Sequence, residues 1–172
     1  MKIRRINQSQ FLPITLDEAW SFFATPKNLE AMTPDFLNFK ILSDVPDVVH
    51  SGLIIEYQIR AVFGIPMHWL TEIKHVEHLG RFVDEQRIGP FPFWYHEHRF
   101  SAVEGGILME DEVHYVMPWG ILGSLIHRLF IRGRLVEIFR FRKTYLEARF
   151  RIRRHENARN PSDSGTGIDQ FG

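Results

Sequence analysis

Between residues 36 and 117 the apolar side chains of this chain recur at every second position, and beyond residue 120 they recur with a period near 3.6. Few architectures accept that single switch. Over 53–63, Leu53, Ile55, Tyr57, Ile59, Ala61 and Phe63 share one face while Glu56, Gln58 and Arg60 take the other, as a strand with one buried side requires. Ser51-Gly52, Gly64-Ile65-Pro66, Gly80, Gly89-Pro90 and Gly105-Gly106 divide the region. Such short gaps suit hairpins, whereas parallel strands need long crossovers, so the neighbours are antiparallel. Six strands are expected, near 37–43, 53–64, 67–79, 81–89, 92–104 and 107–117.

Upstream, residues 2–12 read as a further strand. Thr15-Leu16-Asp17-Glu18 fits a capping box, in which hydroxyl and carboxylate satisfy free N–H groups at a helix start. Leu16, Ala19, Trp20 and Phe23 continue it as one apolar stripe. Thr25-Pro26 reads as a second N-cap with proline at the first helical position. That short helix carries Leu29 and Met32, and Thr33-Pro34 ends it.

Residues 121–154 contain no proline. The fragments 139–142 and 148–153 alternate like strands, but a helical wheel gathers Phe130, Ile131, Leu135, Ile138, Phe139, Phe141, Tyr145, Leu146, Ala148 and Ile152 on one half. A long helix is expected. Leu122, Leu125, Ile126 and Leu129 fall about half a turn from that stripe, and one helix cannot bury both faces against one sheet. Either it bends near Gly133, or its first turns cover a cavity mouth, a second subunit of a homodimer, or a membrane surface.

A chain of 172 residues makes one domain. Its expected span is 1–154, followed by a polar tail, 155–172, too poor in apolar surface to order itself. The absence of Cys excludes disulfides, cysteine nucleophiles and thiolate-bound metals. No apolar core follows the basic start, and no stretch approaches the ~20 apolar residues of a membrane span, so a cytoplasmic protein is expected. Lys+Arg and Asp+Glu both number 21, which argues against a generally basic nucleic-acid binder. The balance is uneven, however: residues 128–154 hold ten Lys or Arg against two Glu.

Strand, two short helices, six-stranded meander and long C-terminal helix follow in the order of the START-like, Bet v 1-like superfamily, also called SRPBCC, which this chain resembles over residues 2–154. The likeness rests on Asp17-Glu-Ala-Trp-Ser-Phe-Phe23, Pro26-Lys-Asn-Leu-Glu-Ala-Met-Thr-Pro34, Gly64-Ile-Pro-Met-His-Trp69 and Phe82-Val-Asp-Glu-Gln86. Gly89-Pro-Phe, His96-x-His98-x-Phe100, Met109-x-Asp-x-Val-x-Tyr115 and Pro118-x-Gly-x-x-Gly123 complete it. These motifs are similar to an uncharacterised, polyketide cyclase/dehydrase-like bacterial subgroup. Some of its relatives are joined to nucleotide-sugar-epimerase-like domains or labelled cell-division inhibitors. The resemblance implies an α+β helix-grip fold, in which a curved, seven-stranded antiparallel sheet and a long helix enclose a cavity. It implies a small apolar or amphipathic ligand, such as a lipid or polyketide, and no cofactor.

Period two also nominates the cavity wall. Tyr57, Trp69, Trp94, Phe100 and Tyr115 are placed around it, with Thr71 and Ile73 beside Trp69. Asp84 and Gln86 share a face with Phe82 and Ile88; His96 and His98 share one with Trp94, Phe100 and Ala102; Asp111 sits among Met109, Val113 and Tyr115. From the long helix come Ile138, Arg142 and Tyr145, while Arg142 and Arg149 interrupt its apolar face. A buried carboxylate is costly unless paired, so Asp84, Asp111, His96 and His98 satisfy one another or a ligand. Four readings remain open: an internal hydrogen-bond network, a polar floor for an amphipathic molecule, acid–base chemistry by His98 with Asp84 or Asp111, or a metal held by the two His and a carboxylate. Without a recognised zinc spacing no metal is expected. Gly-rich phosphate loops, nucleophile elbows and HExxH are absent. Ligand binding leads; an aromatase/cyclase- or hydrolase-like enzyme, or an interaction module using the basic helix, are the alternatives.

Overall fold

The computed structural model describes residues 2–60 and 64–159. The chain runs β1 (Ile3–Leu12), α1 (Leu16–Phe23), α2 (Asn28–Ala31), a 3-10 turn (Asp35–Leu37), β2 (Lys40–Ile41), β3 (Ile54–Ile59), β4 (Met67–Glu77), β5 (Arg81–Ile88), β6 (Phe93–Val103) and β7 (Gly106–Val116). Then α3 (Gly120–Ile126) passes through a π-helical turn (His127–Ile131) into α4 (Arg132–Arg159). All seven strands form one antiparallel sheet in the order β1-β7-β6-β5-β4-β3-β2. The hairpin succession expected from the turns is thus the sheet order, with β1 returning to pair with β7.

Thr15 caps α1 as its sequence requires: its hydroxyl accepts from the Glu18 N–H while the Glu18 carboxylate accepts from the Thr15 N–H at 2.9 Å. The expected second cap does not form. The Thr25 hydroxyl donates instead to the Ser21 carbonyl at 2.8 Å, and α2 begins beyond Lys27 with no side-chain cap. The strand expected over 37–43 shrinks to Lys40–Ile41, because the 3-10 turn takes residues 35–37 and Asn38 is left-handed. Ala61 and Phe63, expected to extend β3, lie outside the described residues, as does the expected tail from residue 160 onward, whereas its residues 155–159 continue α4.

Two departures correct the face assignments. On β5, Leu70 pairs with Ile88 but Thr71 with Gln86, so one extra residue bulges between them. A bulge inverts the alternation beyond it: Gln86 is buried and Ile88 is exposed. Ala102 lies past the buried stretch of β6 and is exposed too. Along the π turn and α4 the buried row is Ile131, Leu135, Phe139, Leu146 and Phe150, narrower than the half-circumference expected. Phe130, Phe141 and Ala148 are exposed, and the side chain of Ile152 lies outside the described residues. Gln8 and Gln10 of β1 donate to the carbonyls of Phe139 and Lys143 at 3.4 and 3.0 Å, which fixes α4 along the sheet.

A π turn, His127–Ile131, interrupts the helical segment where the wheel shifts. A π turn holds one residue more than an α turn and so rotates everything upstream around the axis. His127 and Ile131 are buried, whereas Leu122, Leu125 and Leu129 are exposed. Only Ile126 of the early stripe reaches the interior.

Candidate functional site

Aromatic side chains fill one end of the space between sheet and helix and stop short of the other. Trp20 meets Phe82 and Phe100 edge-on at 6.1 and 6.2 Å, and Phe22 meets Phe150 at 5.4 Å. Beyond them lies a cavity of about 450 Å3, within the range of small-molecule sites. Met32, Tyr57, Trp69, Phe91, Trp94 and Phe139 contribute much of its wall. Ile65, Trp119 and Arg134 line it and are also exposed, which places its opening between the β3–β4 turn and the start of α3. The wall's own polar groups are satisfied internally: the Trp69 N–H donates to Thr71 Oγ1 at 3.0 Å, and the Tyr57 hydroxyl shares a hydrogen bond with the same oxygen at 2.9 Å.

One polar cluster breaks the apolar lining. His96 and His98 are two positions apart on β6 and therefore point the same way. Asp84 comes from β5, opposite His96, and Asp111 from β7, opposite His98. His96 Nδ1 lies 3.2 Å from Asp84 Oδ2 and its Nε2 3.1 Å from Asp111 Oδ1. His98 reverses the ring, with Nε2 2.8 Å from Asp84 and Nδ1 2.7 Å from Asp111. The two imidazoles thus bridge the two carboxylates in a closed square. Their rings are 3.9 Å apart, and Phe82 stacks on His98 at 4.5 Å.

The electrostatics follow from that geometry. Burial alone disfavours an imidazolium at His96, but the charge of Asp84 and the bonds to Asp111 and Asp84 outweigh it and push its pKa up to about 9. Burial likewise opposes charge on Asp84, yet the charge of His96 and hydrogen bonds from His96 and His98 hold it well below the usual carboxylate range. Asp111 is held down in the same way, by the hydrogen bond from His96 and by the charges of both histidines. Tyr57 is pushed up by burial and by the charge of Asp84, so its phenol stays neutral.

Of the residues nominated from sequence, Tyr57, Trp69, Asp84, Trp94, His96, His98, Ile138 and Arg142 line the cavity. Asp111 stands behind the histidines and reaches the cavity only through them. Gln86, Phe100, Tyr115 and Tyr145 are not among the cavity walls. Gln86 is turned onto the backbone of Phe91, and Phe100 packs with Trp20, Phe23 and Phe82. Tyr115 shares a 2.7 Å hydrogen bond with His127, and Tyr145 stacks on Phe141 and accepts from Arg149. Arg142 Nε is buried without a hydrogen-bond partner among the described residues. The wall also includes Met32 of the α2 segment, Pro90 and Phe91 after β5, and Pro118 and Trp119 before α3. Pro90, Phe91, Pro118 and Trp119 lie outside the strands and carry no periodicity, so alternation could not nominate them. Asp84, His96 and His98 also offer donor atoms within 4.8 Å of one another, close enough for one cation.

No family model and no curated protein matches the chain. Solved structures do. A START superfamily protein from Mycobacterium smegmatis superposes with a TM-score of 0.62 at 12% identity, over 86% of this chain and 97% of its own. Ara h 8.0201, of the Bet v 1 family, gives 0.55 at 14%, over 86% and 99%. A nucleoside-diphosphate sugar epimerase from Corynebacterium glutamicum gives 0.56 at 18%, with 82% of this chain matching 28% of that one. At these identities the likeness is one of fold, and it establishes the helix-grip architecture of the Bet v 1 and START proteins.

Proposed function

We propose that this Bet v 1/START-like chain holds a small amphipathic molecule in the cavity between sheet and α4, its apolar body against Trp69, Trp94, Phe91 and Phe139 and its polar end at the His96–His98–Asp84 floor. A lipid or a polyketide has that character. The observation that carries the reading is the pairing of an apolar, aromatic cavity of about 450 Å3 with one polar cluster at its wall. An interior meant only for packing fills such a space, because each void forfeits contacts. Arg142, which lines the cavity with an unpartnered buried Nε, suits a ligand whose polar end is anionic or a hydrogen-bond acceptor. Both ring nitrogens of each histidine already face carboxylates. That arrangement favours orienting a ligand over exchanging protons with it.

Native mass spectrometry of gently purified protein tests the proposal. A co-purifying hydrophobic species is expected, and it should vanish from the Ile138→Trp variant, whose added ring occupies the cavity. Extraction of no ligand from the parent protein, together with unchanged binding of a fluorescent fatty-acid probe by the Ile138→Trp variant, would refute it.

A further inference from the structure

The first turns of the C-terminal helical segment present an exposed apolar ridge, which begins at Trp119 on the rim of the cavity. Ile121 is 91% exposed and Trp119 71%, and Leu122, Leu125 and Leu129 stand beside them on the same side. The ridge is held in place rather than left to sway. Trp119 and Gly120 adopt left-handed backbone, and Gly123 packs so tightly that a Cβ would run into the Pro118 carbonyl. Arg4 of β1 ties the segment down by donating to Ser124 Oγ at 3.2 Å.

Beside the ridge lies an open groove of about 1140 Å3 between β1 and the helical segment. Lys2, Arg4, Arg128, Arg132, Arg140 and Lys143 line it, and its described lining includes no carboxylate. Among the described residues, none of these six is within ion-pair distance of an acid. The Arg4 Nε is buried there without a hydrogen-bond partner. His127, which also lines the groove, is pushed toward its neutral form by burial and then by Arg4, Arg132 and Lys2.

We propose that this ridge and groove dock the protein on an anionic membrane surface, with Trp119, Ile121, Leu122 and Leu125 at the boundary between headgroups and acyl chains and the groove cations on lipid phosphates. An interfacial segment combines these two things: apolar side chains, Trp among them, that enter a few ångströms, and Lys or Arg that meet anionic headgroups. Charge complementarity selects this occupant. A two-fold contact with a second copy would set the basic groove against its own equal. A nucleic-acid backbone would neutralise the cations and leave the apolar ridge in water. The bilayer answers both parts at once.

Co-sedimentation of the full chain with vesicles tests it. Vesicles of phosphatidylcholine with roughly one third phosphatidylglycerol should bind the protein, with affinity falling as salt rises, and pure phosphatidylcholine should bind at least about tenfold less. Ile121→Asp with Leu125→Asp, both at exposed positions, should abolish sedimentation with circular dichroism unchanged. Arg128→Glu with Arg132→Glu should weaken binding to anionic vesicles by about thirtyfold or more. The Ile138→Trp variant, with its cavity filled, should bind vesicles as the parent does, which separates this proposal from the one about the cavity. Equal binding to both vesicle types, or none at low salt, overturns it. So does self-association in sedimentation velocity that the Ile121→Asp, Leu125→Asp pair abolishes while vesicles go unbound. Tight binding to duplex DNA that the Asp pair leaves intact, without vesicle binding, assigns the groove to nucleic acid and likewise overturns it.

Discussion

Replacing Asp111 by Asn should weaken the alkaline sensitivity that His96 imposes on the fold. In the parent protein the His96 imidazolium is bracketed by Asp84 at 3.2 Å and Asp111 at 3.1 Å, and its pKa rises from 6.5 to about 9. A folded-state value above the unfolded one means that folding takes up a proton. The stabilisation is therefore fully present below pH 6.5 and lost as pH climbs through 9. The rise corresponds to roughly 3 kcal/mol, a large share of the ~5–15 kcal/mol that keeps a domain folded. The carboxylates work in the opposite sense. Asp84 and Asp111 are held low, so their stabilisation is present above about pH 4 and is lost only as acid reaches the depressed values. The alkaline limb thus isolates the histidine. Urea denaturation of the parent between pH 6.5 and 9.5 should show unfolding free energy falling by about 3 kcal/mol. Asp111→Asn removes one of the two opposing charges, and it should flatten that slope while lowering stability at pH 6.5 by about 3–5 kcal/mol. A parent protein whose stability is flat across this range, or a variant that keeps the full slope, would refute the reasoning.

Two structural tests accompany it. Thr15→Ala removes the hydroxyl that caps α1 and should cost about 1 kcal/mol, a fall of roughly 2–4 °C in melting temperature by calorimetry. Gly123→Ala forces a methyl group onto the Pro118 carbonyl and should cost about 1–3 kcal/mol; Gly133→Ala, whose added methyl meets nothing within 4 Å, serves as the comparison in the same thermal melts.

The sheet was legible because its signal is strictly local. Each strand of the meander after β2 announces itself by alternation and each hairpin by its glycine or proline. The cluster was legible for the same reason: His96 and His98 share parity on β6, and antiparallel pairing carries Asp84 and Asp111 to the same patch. Parity failed where geometry intervened. One bulged residue between Gln86 and Ile88 turned Ile88 off the face it was expected to share with Gln86, and the 3-10 turn with its left-handed Asn38 delayed the strand expected from residue 37. The stripe on α4 was overdrawn for a different reason. Phe141 and Ala148 lie at the margin of the apolar arc, and a helix resting on one sheet buries only the central row. The cavity itself had no direct signature in the chain, since a void is a property of what fails to meet across it. The resemblance supplied that expectation, and Phe91 and Trp119, in loops, supplied walls that no periodicity could disclose.

The pairing of β1 with β7 sets an order on how the protein is made. Ile3 lies opposite Val116, so the first strand waits, unpaired on its long edge, until the last strand has been synthesised. The hairpins from β3 to β7 need only their neighbours and form early, since nearby contacts close small loops. The segment that roofs the interior comes later still, with Leu135, Phe139, Leu146 and Phe150. During synthesis the aromatic wall is therefore open to water, or to whatever hydrophobic molecule is present, until the final helix closes over it.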